Sequence, residues 1–532
     1  MQPSRSNRTV AVIAGLVVAA LALVVGAVVL TGPAPAPPTE PIAFDPEETP
    51  GDVGVPDPEE DPDEDPEPDP TTDGEEPAAP GDEPPAEVEP EPEPWGAAVS
   101  GVTRFRGDLR GTFHGRGPVP TDPAVAWRYP DRAMCSKEVV RGVERDWCGI
   151  GWTGQPLIWE RDDGITEVII GAYDGQIHFL DAATGAPTRQ PFRTGFMVKG
   201  TDALDPDGFP LYYSGSRDGR FRVLALDREP VVELWSMGRH PDGVWNDDWD
   251  ASPALLDDVL HVGGEDSWYR AIRLNRTYDD AGLIQVDPEV LVEVPGFDDE
   301  LFAAIGDRMV SIENSPVIDE QRQRVYFANS GGRVLGLDIS RIHDGEAPIV
   351  FDVWLGDDID ASITLDPDGA LYLGIELERF LPRAREVGQI VKLDPDRPDD
   401  PIVWGIDVPP RRAGEDSGIW ATPAWHAGVL YVSTHPGELL TIDATTGEVL
   451  QRDDVGFNAW SSPVVIADGR GDPTLVVGTC ITPGLRGYDI TDPRAPVERW
   501  RVELPGCVES TPVVWDGGLW VGSRDGFLYA IR

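Results

Sequence analysis

The sequence has little positive charge and few cysteines. It contains 95 acidic residues against 43 basic ones, for a formal net charge of −52, and its lysines are Lys137, Lys199 and Lys392 alone. A chain this acidic argues against nucleic acid and anionic lipid as partners of its folded surface. Only 4 cysteines occur, none in a Cys-x-x-Cys motif, and the 7 histidines are scattered. The sequence therefore supports neither a zinc site nor a dithiol redox motif.

One long apolar run interrupts this charged sequence, over residues 10–30. Every residue in it is apolar or glycine, and a helix of that length, about 32 Å, crosses the hydrocarbon core of a bilayer. Arg5 and Arg8 precede the run, so the positive-inside rule predicts a single-pass anchor with a cytoplasmic tail over 1–9. A signal peptide cleaved near 34–36 is the alternative. Both interpretations place the rest of the chain on the extracytoplasmic side of a bacterial-type cell membrane.

Residues 31–98 are dominated by proline, glutamate and aspartate. Between Glu40 and Glu93 there are 23 acidic residues and neither lysine nor arginine. Such a segment cannot bury enough apolar surface to fold, and self-repulsion keeps it extended. We therefore predict a disordered acidic linker between the anchor and a folded domain over 99–532. A solvated spacer is the simpler interpretation of this linker, and an acidic binding tail is the alternative.

A unit of four predicted strands recurs through the folded domain. Each unit begins with Ser or Thr followed by Pro and an apolar run, as in "SPALL" (252–256) and "TPVVW" (511–515). A second apolar strand, a tight turn, a third strand that often ends in Asp and a fourth that often carries Trp complete the unit. Apolar runs bounded by Gly, Asp and Pro are typical of β-strands. The unit starts fall near residues 155, 201, 252, 315, 361, 422, 462 and 511.

Eight such units predict an all-β, eight-bladed β-propeller of four-stranded antiparallel blades. A linear solenoid is the structural rival, but its last unit would need a polar cap. The last unit, which ends in "GLWVGSRDGFLYAIR" (518–532), has only three strands, whereas "PAVAWRYP" (123–130) is an orphan strand. We predict that 124–129 is the outer strand of the last blade and pairs with 526–532. This pairing closes the ring without a bare hydrogen-bonding edge.

The repeat resembles that of PQQ-like (quinoprotein-type) β-propellers over residues 100–532. The segments that carry the resemblance are "IHFLDAATGAP" (177–187), "LLTIDATTGEVL" (439–450), "TRFRGDLRGTFHG" (103–115) and the fourth strands that contain Trp. The family includes PQQ-dependent alcohol and glucose dehydrogenases and also membrane-anchored or scaffold proteins that are not enzymes. The enzymes resemble one another in an axial quinone, a calcium or lanthanide ion and often two adjacent cysteines. This chain has no adjacent cysteines, so the resemblance implies the non-enzymatic type without a cofactor.

The loop that enters the first strand of each blade lies at the mouth of a propeller's channel, where ligands tend to bind. We therefore take the residue three positions before each start proline, or its equivalent, as a candidate. These residues are Thr153, Lys199, Asp250, Glu313, Asp360, Trp420, Trp460 and Glu509, with Asp247 and Asp248 nearby. Converging acids raise one another's pKa or attract a cation, and tryptophans stack on a ring, a sugar or an amine. The alternatives are a water-filled pore lined by polar side chains and, for the tryptophans, packing between blades.

Four cysteines in an exported domain predict two disulfides. Of the three possible connectivities we predict the nearest-neighbour one, Cys135 with Cys148 and Cys480 with Cys507. The insertion "RFLPRAREVGQ" (379–389) in the fifth unit is either a basic contact loop or an ordinary insertion.

These features predict a membrane-tethered extracytoplasmic module that binds or scaffolds a protein, a cell-wall polymer or a small ligand through its propeller loops. A PQQ-dependent dehydrogenase, which would oxidise an alcohol or a sugar at the funnel mouth with PQQ and calcium, is the alternative. A sensor that signals inward is disfavoured because the cytoplasmic tail over 1–9 is too short to carry a domain.

Overall fold

A computed structural model describes residues 99–140, 143–152 and 154–532. The predicted anchor and acidic linker, and the candidate Thr153, lie outside these ranges. Within them, no helix is long and apolar enough to cross a membrane.

The described chain forms eight antiparallel blades. In each blade four strands follow one another from the axis of the ring to its rim. The strands of blades 1 to 4, in this order, are Leu157–Glu160, Thr166–Gly171, Gln176–Asp181 and Phe192–Arg193; Ala203–Leu204, Leu211–Ser216, Arg220–Ala225 and Val232–Met237; Ala254–Leu256, Val259–Gly263, Trp268–Arg273 and Glu289–Pro295; Val317–Asp319, Arg324–Ala328, Arg333–Asp338 and Ile349–Trp354. Those of blades 5 to 8 are Thr364–Leu365, Leu371–Gly374, Ile390–Leu393 and Ile402–Ile406; Ala424–His426, Val429–Ser433, Glu438–Asp443 and Val449–Asp454; Val464–Ile466, Thr474–Thr479, Gly484–Asp489 and Val497–Glu503; Val513–Trp515, Gly518–Gly522, Leu528–Ile531 and Val125–Tyr129.

The ring closes between the two ends of the domain, as the sequence predicts. Val125–Tyr129 pairs antiparallel with Leu528–Ile531, with Tyr129 opposite Leu528 and Val125 opposite Ile531. The three C-terminal strands are therefore completed by a strand made about 400 residues earlier in the chain.

The Ser-Pro and Thr-Pro starts form a belt of hydrogen bonds between neighbouring blades. At four successive junctions, the backbone N–H of the start residue donates to the side-chain hydroxyl of the start residue in the next blade. Bonds of 2.9–3.1 Å run in this way from Ser252 to Ser315, from Ser315 to Ser362, from Ser362 to Thr422 and from Thr422 to Ser462. The motif thus supplies an acceptor for a buried backbone donor at each of these blade junctions.

Two tryptophans of the fourth strands, Trp127 and Trp404, each pack on a glycine of the next blade. A Cβ atom at Gly185, in the "DAATG" turn of blade 1, would lie 2.7 Å from Cε3 of Trp127 in blade 8. A Cβ at Gly447, in the matching turn of blade 6, would lie 2.8 Å from Cδ2 of Trp404 in blade 5. Both glycines also have a positive φ, so the turn motif and the tryptophan are two halves of one contact between blades.

A plug formed by residues 100–118 runs through the central channel, which the sequence does not predict. Gly101–Val102 adds a fifth strand inside blade 1, and Gly115–Arg116 adds a parallel one inside blade 8. The plug also accepts hydrogen bonds from the inner strands of blades 2, 4 and 5 through its backbone carbonyls. Two blades therefore have five strands rather than four, and the plug takes the place of a water-filled pore.

Arg104 and Arg106 hold the plug to the blades. Arg104 donates to the carbonyls of Pro253 and Pro316 at 3.1 and 2.7 Å, and Arg106 donates to those of Pro423, at 3.0 Å, and Pro463. Burial lowers the pKa of Arg104 to about 10 and that of Arg106 to about 9, against the charge of Asp108. Two buried guanidinium groups thus donate hydrogen bonds to the carbonyl groups of start prolines in four blades.

The remaining elements lie in loops between strands. They are the helices Asp299–Ile305 and Pro382–Val387, the 3-10 helix Ile342–Asp344, and the two-stranded sheets Cys135–Val140 with Val143–Cys148, Thr277–Tyr278 with Ile284–Gln285, and Glu376–Leu377 with Ser417–Gly418. The structure joins Cys135 to Cys148 and Cys480 to Cys507, the pairs that the sequence favours.

Candidate functional site at the channel mouth

The loops that enter the inner strands place the candidate residues around one mouth above the plug. The mouth has two acidic clusters and an aromatic side. We call Lys199, Asp248, Asp250 and Glu265 the lysine cluster, and Glu313, Asp358, Asp360 and Glu376 the carboxylate cluster. The aromatic side consists of Trp420, Trp460 and His435.

The lysine cluster is a buried ammonium group among three carboxylates. Nζ of Lys199 lies 2.9 Å from Oδ2 of Asp248, 2.7 Å from Oδ2 of Asp250 and 2.9 Å from Oε1 of Glu265. Although burial alone would lower it, these three charges raise the pKa of Lys199 well above its ordinary value. The Asp248 carboxylate also forms an ion pair with Arg217, whose Nη1 lies 3.0 Å from Oδ2. The cation that the sequence predicts for this mouth is therefore, in this cluster, a side chain of the protein itself.

The carboxylate cluster has less positive charge. Burial raises the pKa of Glu313, Asp358, Asp360 and Glu376 well above the ordinary values, and the neighbouring carboxylates add to this effect. The Asp358 carboxyl further raises the pKa of Asp360. The positive charge that pairs with this cluster is Arg379, whose Nη1 lies 3.2 Å from Oδ2 of Asp358. Like charges in a buried site favour the protonated form of the acids.

Glu376 joins this cluster to the aromatic side. Its backbone N–H donates to the Asp358 carbonyl at 2.8 Å, and its strand pairs with Ser417–Gly418, which ends two residues before Trp420. The Glu376 side chain is 1% exposed, and its Oε1 has no hydrogen-bond partner among the described residues. An unpaired buried acceptor is costly and calls for an explanation.

The aromatic side is a stack of three rings. Trp420 and Trp460 lie 5.6 Å apart between ring centroids at an interplanar angle of 23°, and His435 lies 4.3 Å from Trp420. Trp460 donates its Nε1–H to Nδ1 of His435 at 2.8 Å. Burial lowers the pKa of His435 to about 4, so its ring is neutral and this side of the mouth carries no charge at neutral pH.

A small cup opens between the carboxylate cluster and the aromatic side. Glu313, Asp360, Trp152, Trp420 and Phe105 of the plug line it, and its free volume is about 10 Å³, roughly the space of one water. The start residues Ser315, Ser362, Thr422 and Ser462 and the neighbouring Ala361 complete the lining. Because the plug fills the channel below, the cup is a blind pocket rather than part of a through-channel.

Not every candidate from the sequence lines this cup. Glu509 lies near Arg524, with Oε2 3.5 Å from Nε, and close to the disulfide of Cys507. Burial raises the pKa of Glu509. Asp247 is exposed at the surface, whereas its neighbour Asp248 is buried. Of the seven described positions, Lys199 and Asp250 thus lie in the lysine cluster, Glu313, Asp360 and Trp420 line the cup, Trp460 stacks on Trp420, and Glu509 lies beside the second disulfide.

Several mouth residues were not among the candidates, because the candidates were taken only from the loop before the first strand of each blade. Glu265, Glu376 and His435 follow the second strands of blades 3, 5 and 6. In an antiparallel blade the loop after the second strand lies on the same face as the loop before the first. Applying the rule to both loops would have found all three.

The basic insertion 379–389 supports this face from inside. Arg379 donates to the carbonyls of Ser330 and Met309 at 2.7 and 2.9 Å and forms ion pairs with Asp358 and Asp307. Its guanidinium group is therefore used within the protein, which favours the interpretation of an ordinary insertion.

The mouth does not fit the quinone of the PQQ-like enzymes. PQQ is a tricarboxylate, and the cup presents Glu313 and Asp360 with two more acids behind them. Bringing further carboxylates into such a site would add like charges at low dielectric. The two cysteines near the mouth, Cys480 and Cys507, are separated by 27 residues, unlike the adjacent pair of the enzymes.

Comparison with known proteins supports the fold. No protein-family model matches the chain, and no curated protein matches its sequence. Among solved structures, it is similar to a quinohemoprotein alcohol dehydrogenase from Pseudomonas putida HK5, with 10% identity and a TM-score of 0.55 over 81% of this chain and 80% of the other. It is similar to the quinohemoprotein alcohol dehydrogenase from Comamonas testosteroni, with 13% identity and a TM-score of 0.52 over 84% and 81%.

A europium-containing methanol dehydrogenase matches over 81% of this chain and 98% of the other, with 12% identity and a TM-score of 0.53. At these identities the similarity shows a shared fold and carries no activity with it. The chain therefore has the propeller fold of known PQQ-type dehydrogenases, at low sequence identity to each of them.

Proposed function

We propose that this protein is a membrane-tethered, extracytoplasmic binding module whose ligand binds at the propeller mouth. The observation that carries this proposal is the grouping of buried carboxyl groups and stacked aromatic rings at one mouth. The anchor predicted over 10–30 supports the tether, and the two disulfides support an oxidising compartment.

Binding is favoured over quinone catalysis because the cup is acidic where the quinone would need to place its own carboxylates. The mouth also contains a neutral His435 and a Lys199 that is already enclosed by three acids. These groups stabilise the architecture of the mouth. We assign no catalytic residue to it.

A panel of ligands tests the binding proposal on the full chain in detergent. The panel contains neutral sugars, primary amines, short peptides, carboxylates and divalent cations, and the melting temperature is the readout. At least one class should raise the melting temperature, less so in Asp360→Asn and Trp420→Phe and equally in the exposed-surface control Glu503→Gln. If no class raises it, or if the variants respond like the wild type, the cup is not a binding site.

Reconstitution tests the dehydrogenase alternative. The full chain is incubated with PQQ and Ca²⁺ and assayed for dye reduction with alcohols and sugars. We expect no turnover above a sample without protein, and robust turnover would overturn the assignment as a binding module.

A protease-protection experiment tests the topology. In intact cells or right-side-out vesicles, external protease should remove the propeller, residues 99–532, from the membrane fraction. A propeller that is protected until the membrane is dissolved would contradict the proposed location.

A further inference from the structure

We propose that a groove beside the aromatic side of the mouth binds a neutral oligosaccharide. The groove lies between Arg411, Glu438, Asp453, Phe457 and Ile481, and we call it the outer groove. Its volume is about 780 Å³, within the range of about 300–1,000 Å³ that is usual for ligand sites. This inference rests on the proposed function, because it names the chemical class of the ligand and the part of the mouth that holds it.

The outer groove lies on the mouth face and continues the aromatic side. Arg411 and Phe457 follow the fourth strands of blades 5 and 6, and Ile481 follows the second strand of blade 7. In antiparallel blades, the loops after the second and fourth strands lie on the same face as the loop before the first. The ring of Phe457 lies 4.6 Å from that of His435 between centroids, at 63°. The outer groove therefore begins where the stack of Trp420, Trp460 and His435 ends.

Apolar side chains line part of the outer groove at the surface. Ile481 is 51% exposed, and the ring of Phe457 is half-buried. Ile481 directly follows Cys480 of the second disulfide, and a Cβ atom at Gly456 would lie 2.7 Å from Cβ of Ile481. The disulfide and the glycine thus fix an exposed apolar side chain beside the ring. Apolar groups that share one groove, rather than lying singly on the surface, indicate a binding site.

The acids of the outer groove are fixed in place and still have acceptors to offer. One oxygen of each carboxylate is bound by a neighbouring group. These bonds run from Arg452 to Oε2 of Glu438 at 2.8 Å, from Gln451 to Oδ2 of Asp453 at 2.7 Å, and from the N–H of Gly456 to Oδ1 of Asp454 at 2.9 Å. No hydrogen bond or ion pair from the described residues reaches the second oxygen of any of the three. Each carboxylate can therefore accept a hydrogen bond from a ligand without giving up its own support.

The charges of the outer groove favour a neutral ligand. Arg452 and Glu438 neutralise each other as an ion pair, which leaves Arg411 against Asp453 and Asp454. The guanidinium group of Arg411 lies 5.4 Å from the centroid of the Phe457 ring and forms no ion pair with the described residues. A cationic ligand would meet Arg411, and an anionic ligand would meet the two aspartates. A hydroxyl group both donates and accepts, so it can bond to groups of either sign.

A pyranose ring matches both parts of this lining. Its C–H face can pack on the ring of Phe457 and on Ile481, while its hydroxyl groups reach the carboxylates and the guanidinium group. The polar atoms of the lining that remain available lie at the tips of side chains, which suits hydroxyl groups spaced around a sugar. A neutral peptide is the rival occupant.

Calorimetric titration of the full chain tests this inference, in a detergent without a sugar headgroup. The probes are cellotetraose, chitotetraose and maltotetraose, and we expect at least one of them to bind. Phe457→Leu should weaken that probe at least tenfold, because it removes the ring, and Asp453→Asn at least threefold. Tyr278→Leu is the matched control. It removes a ring that is 53% exposed and stacked on Phe209, and it should leave the affinity unchanged.

A neutral peptide of similar length, acetyl-Ala-Ser-Ala-Ser-amide, separates the rival occupant. Binding of the peptide without any of the three oligosaccharides overturns the inference, and so does binding of no probe. An affinity that is the same in wild type and Phe457→Leu overturns it as well. Ile481→Ser changes an exposed side chain and should weaken the oligosaccharide at least threefold. It keeps the test decisive if Phe457→Leu fails to fold.

The inference and the proposed function fail in different ways. If none of the oligosaccharides binds but another class of the ligand panel raises the melting temperature through Asp360 and Trp420, the sugar assignment is wrong and the binding module stands. If neither the panel nor the oligosaccharides bind, both are wrong.

Discussion

The two acidic clusters of the mouth have similar residues and different amounts of positive charge. In the lysine cluster, three buried carboxylates form ion pairs with Lys199, and Asp248 also pairs with Arg217. In the carboxylate cluster, Arg379 pairs with Asp358. Burial raises the pKa of acids in both clusters, among them Asp250 and Asp360. The comparison teaches that the same fold position can hold acids with a buried lysine or without one.

Removing the charge of Lys199 from the lysine cluster should have the largest effect on stability. Lys199→Met leaves the buried carboxylates of Asp248, Asp250 and Glu265 without their shared partner. Breaking a buried ion pair from one side costs about 3–5 kcal/mol, because the charge left behind is uncompensated. Urea unfolding at pH 7 measures this loss. If Lys199→Met costs no more than a surface substitution, the two clusters do not differ in the way described.

Removing a buried arginine of the plug should have the next largest effect. Arg106→Met leaves the carbonyls of Pro423 and Pro463 without a donor, and each buried unsatisfied group costs about 1–3 kcal/mol. Urea unfolding should show this loss. Arg110→Met, at a more exposed position of the plug, is the matched control and should cost little. An Arg106→Met protein as stable as the control would show that the plug does not depend on its buried arginine.

The same isosteric change in each cluster should have opposite consequences for stability. Glu265→Gln removes a charge that accepts Nζ of Lys199 at 2.9 Å and Nδ2 of Asn246 at 2.7 Å, so it should destabilise the protein by about 1–3 kcal/mol. Glu376→Gln removes one of several like charges and should be neutral or stabilising by about 1 kcal/mol at pH 8. Thermal or urea unfolding of the two variants side by side decides this. A larger loss for Glu376→Gln than for Glu265→Gln would reverse the comparison.

The smallest effect is a difference in pH dependence. Carboxyls whose folded pKa is raised bind more protons in the folded state, so the stability they contribute is complete at low pH and is lost as pH rises through the folded pKa. Glu376 is such a group, because burial and the neighbouring acids raise its pKa. As pH rises above 4.5, the ordinary pKa of a glutamate, the wild type should therefore lose stability, and Glu376→Gln should lose less. Each unit of pKa difference corresponds to about 1.4 kcal/mol.

Groups outside the carboxylate cluster do not obscure this difference. Burial lowers the pKa of His435 to about 4, so the stability it contributes is lost as pH falls, in both proteins alike. Burial raises the pKa of Asp202 to about 7, but Asp202 is present in both proteins and cancels. Parallel stability curves for wild type and Glu376→Gln would contradict the raised pKa.

The blade count and the closure of the ring could be predicted because their signals are local. A Ser-Pro or Thr-Pro start, an apolar strand and an Asp-Gly turn each report on a few adjacent residues. The orphan strand around Trp127 could be paired with the last blade because every other blade has a fourth strand with the same pattern. A repeat thus converts local patterns into a global count.

The plug and the charge balance of the mouth could not be predicted in this way. Arg104 and Arg106 bond to prolines 149–357 residues away along the chain, and no periodic pattern marks them. Asp250 and Asp360 occupy equivalent positions in their repeats, yet one meets a lysine and the other meets Asp358. Equivalent positions in a repeat share a place in the fold but not a set of neighbours.

By itself the sequence determined that this chain forms eight blades, that its ends meet in one of them, and which loops face the mouth. These properties follow from strand periodicity and turn chemistry, which act over a few residues. Only the tertiary structure decided that the channel is filled by residues 100–118, that Lys199 neutralises one acidic cluster, and that the other faces a cup beside Trp420. Burial and charge pairing depend on distances across the ring, and those distances exist only once the blades are packed.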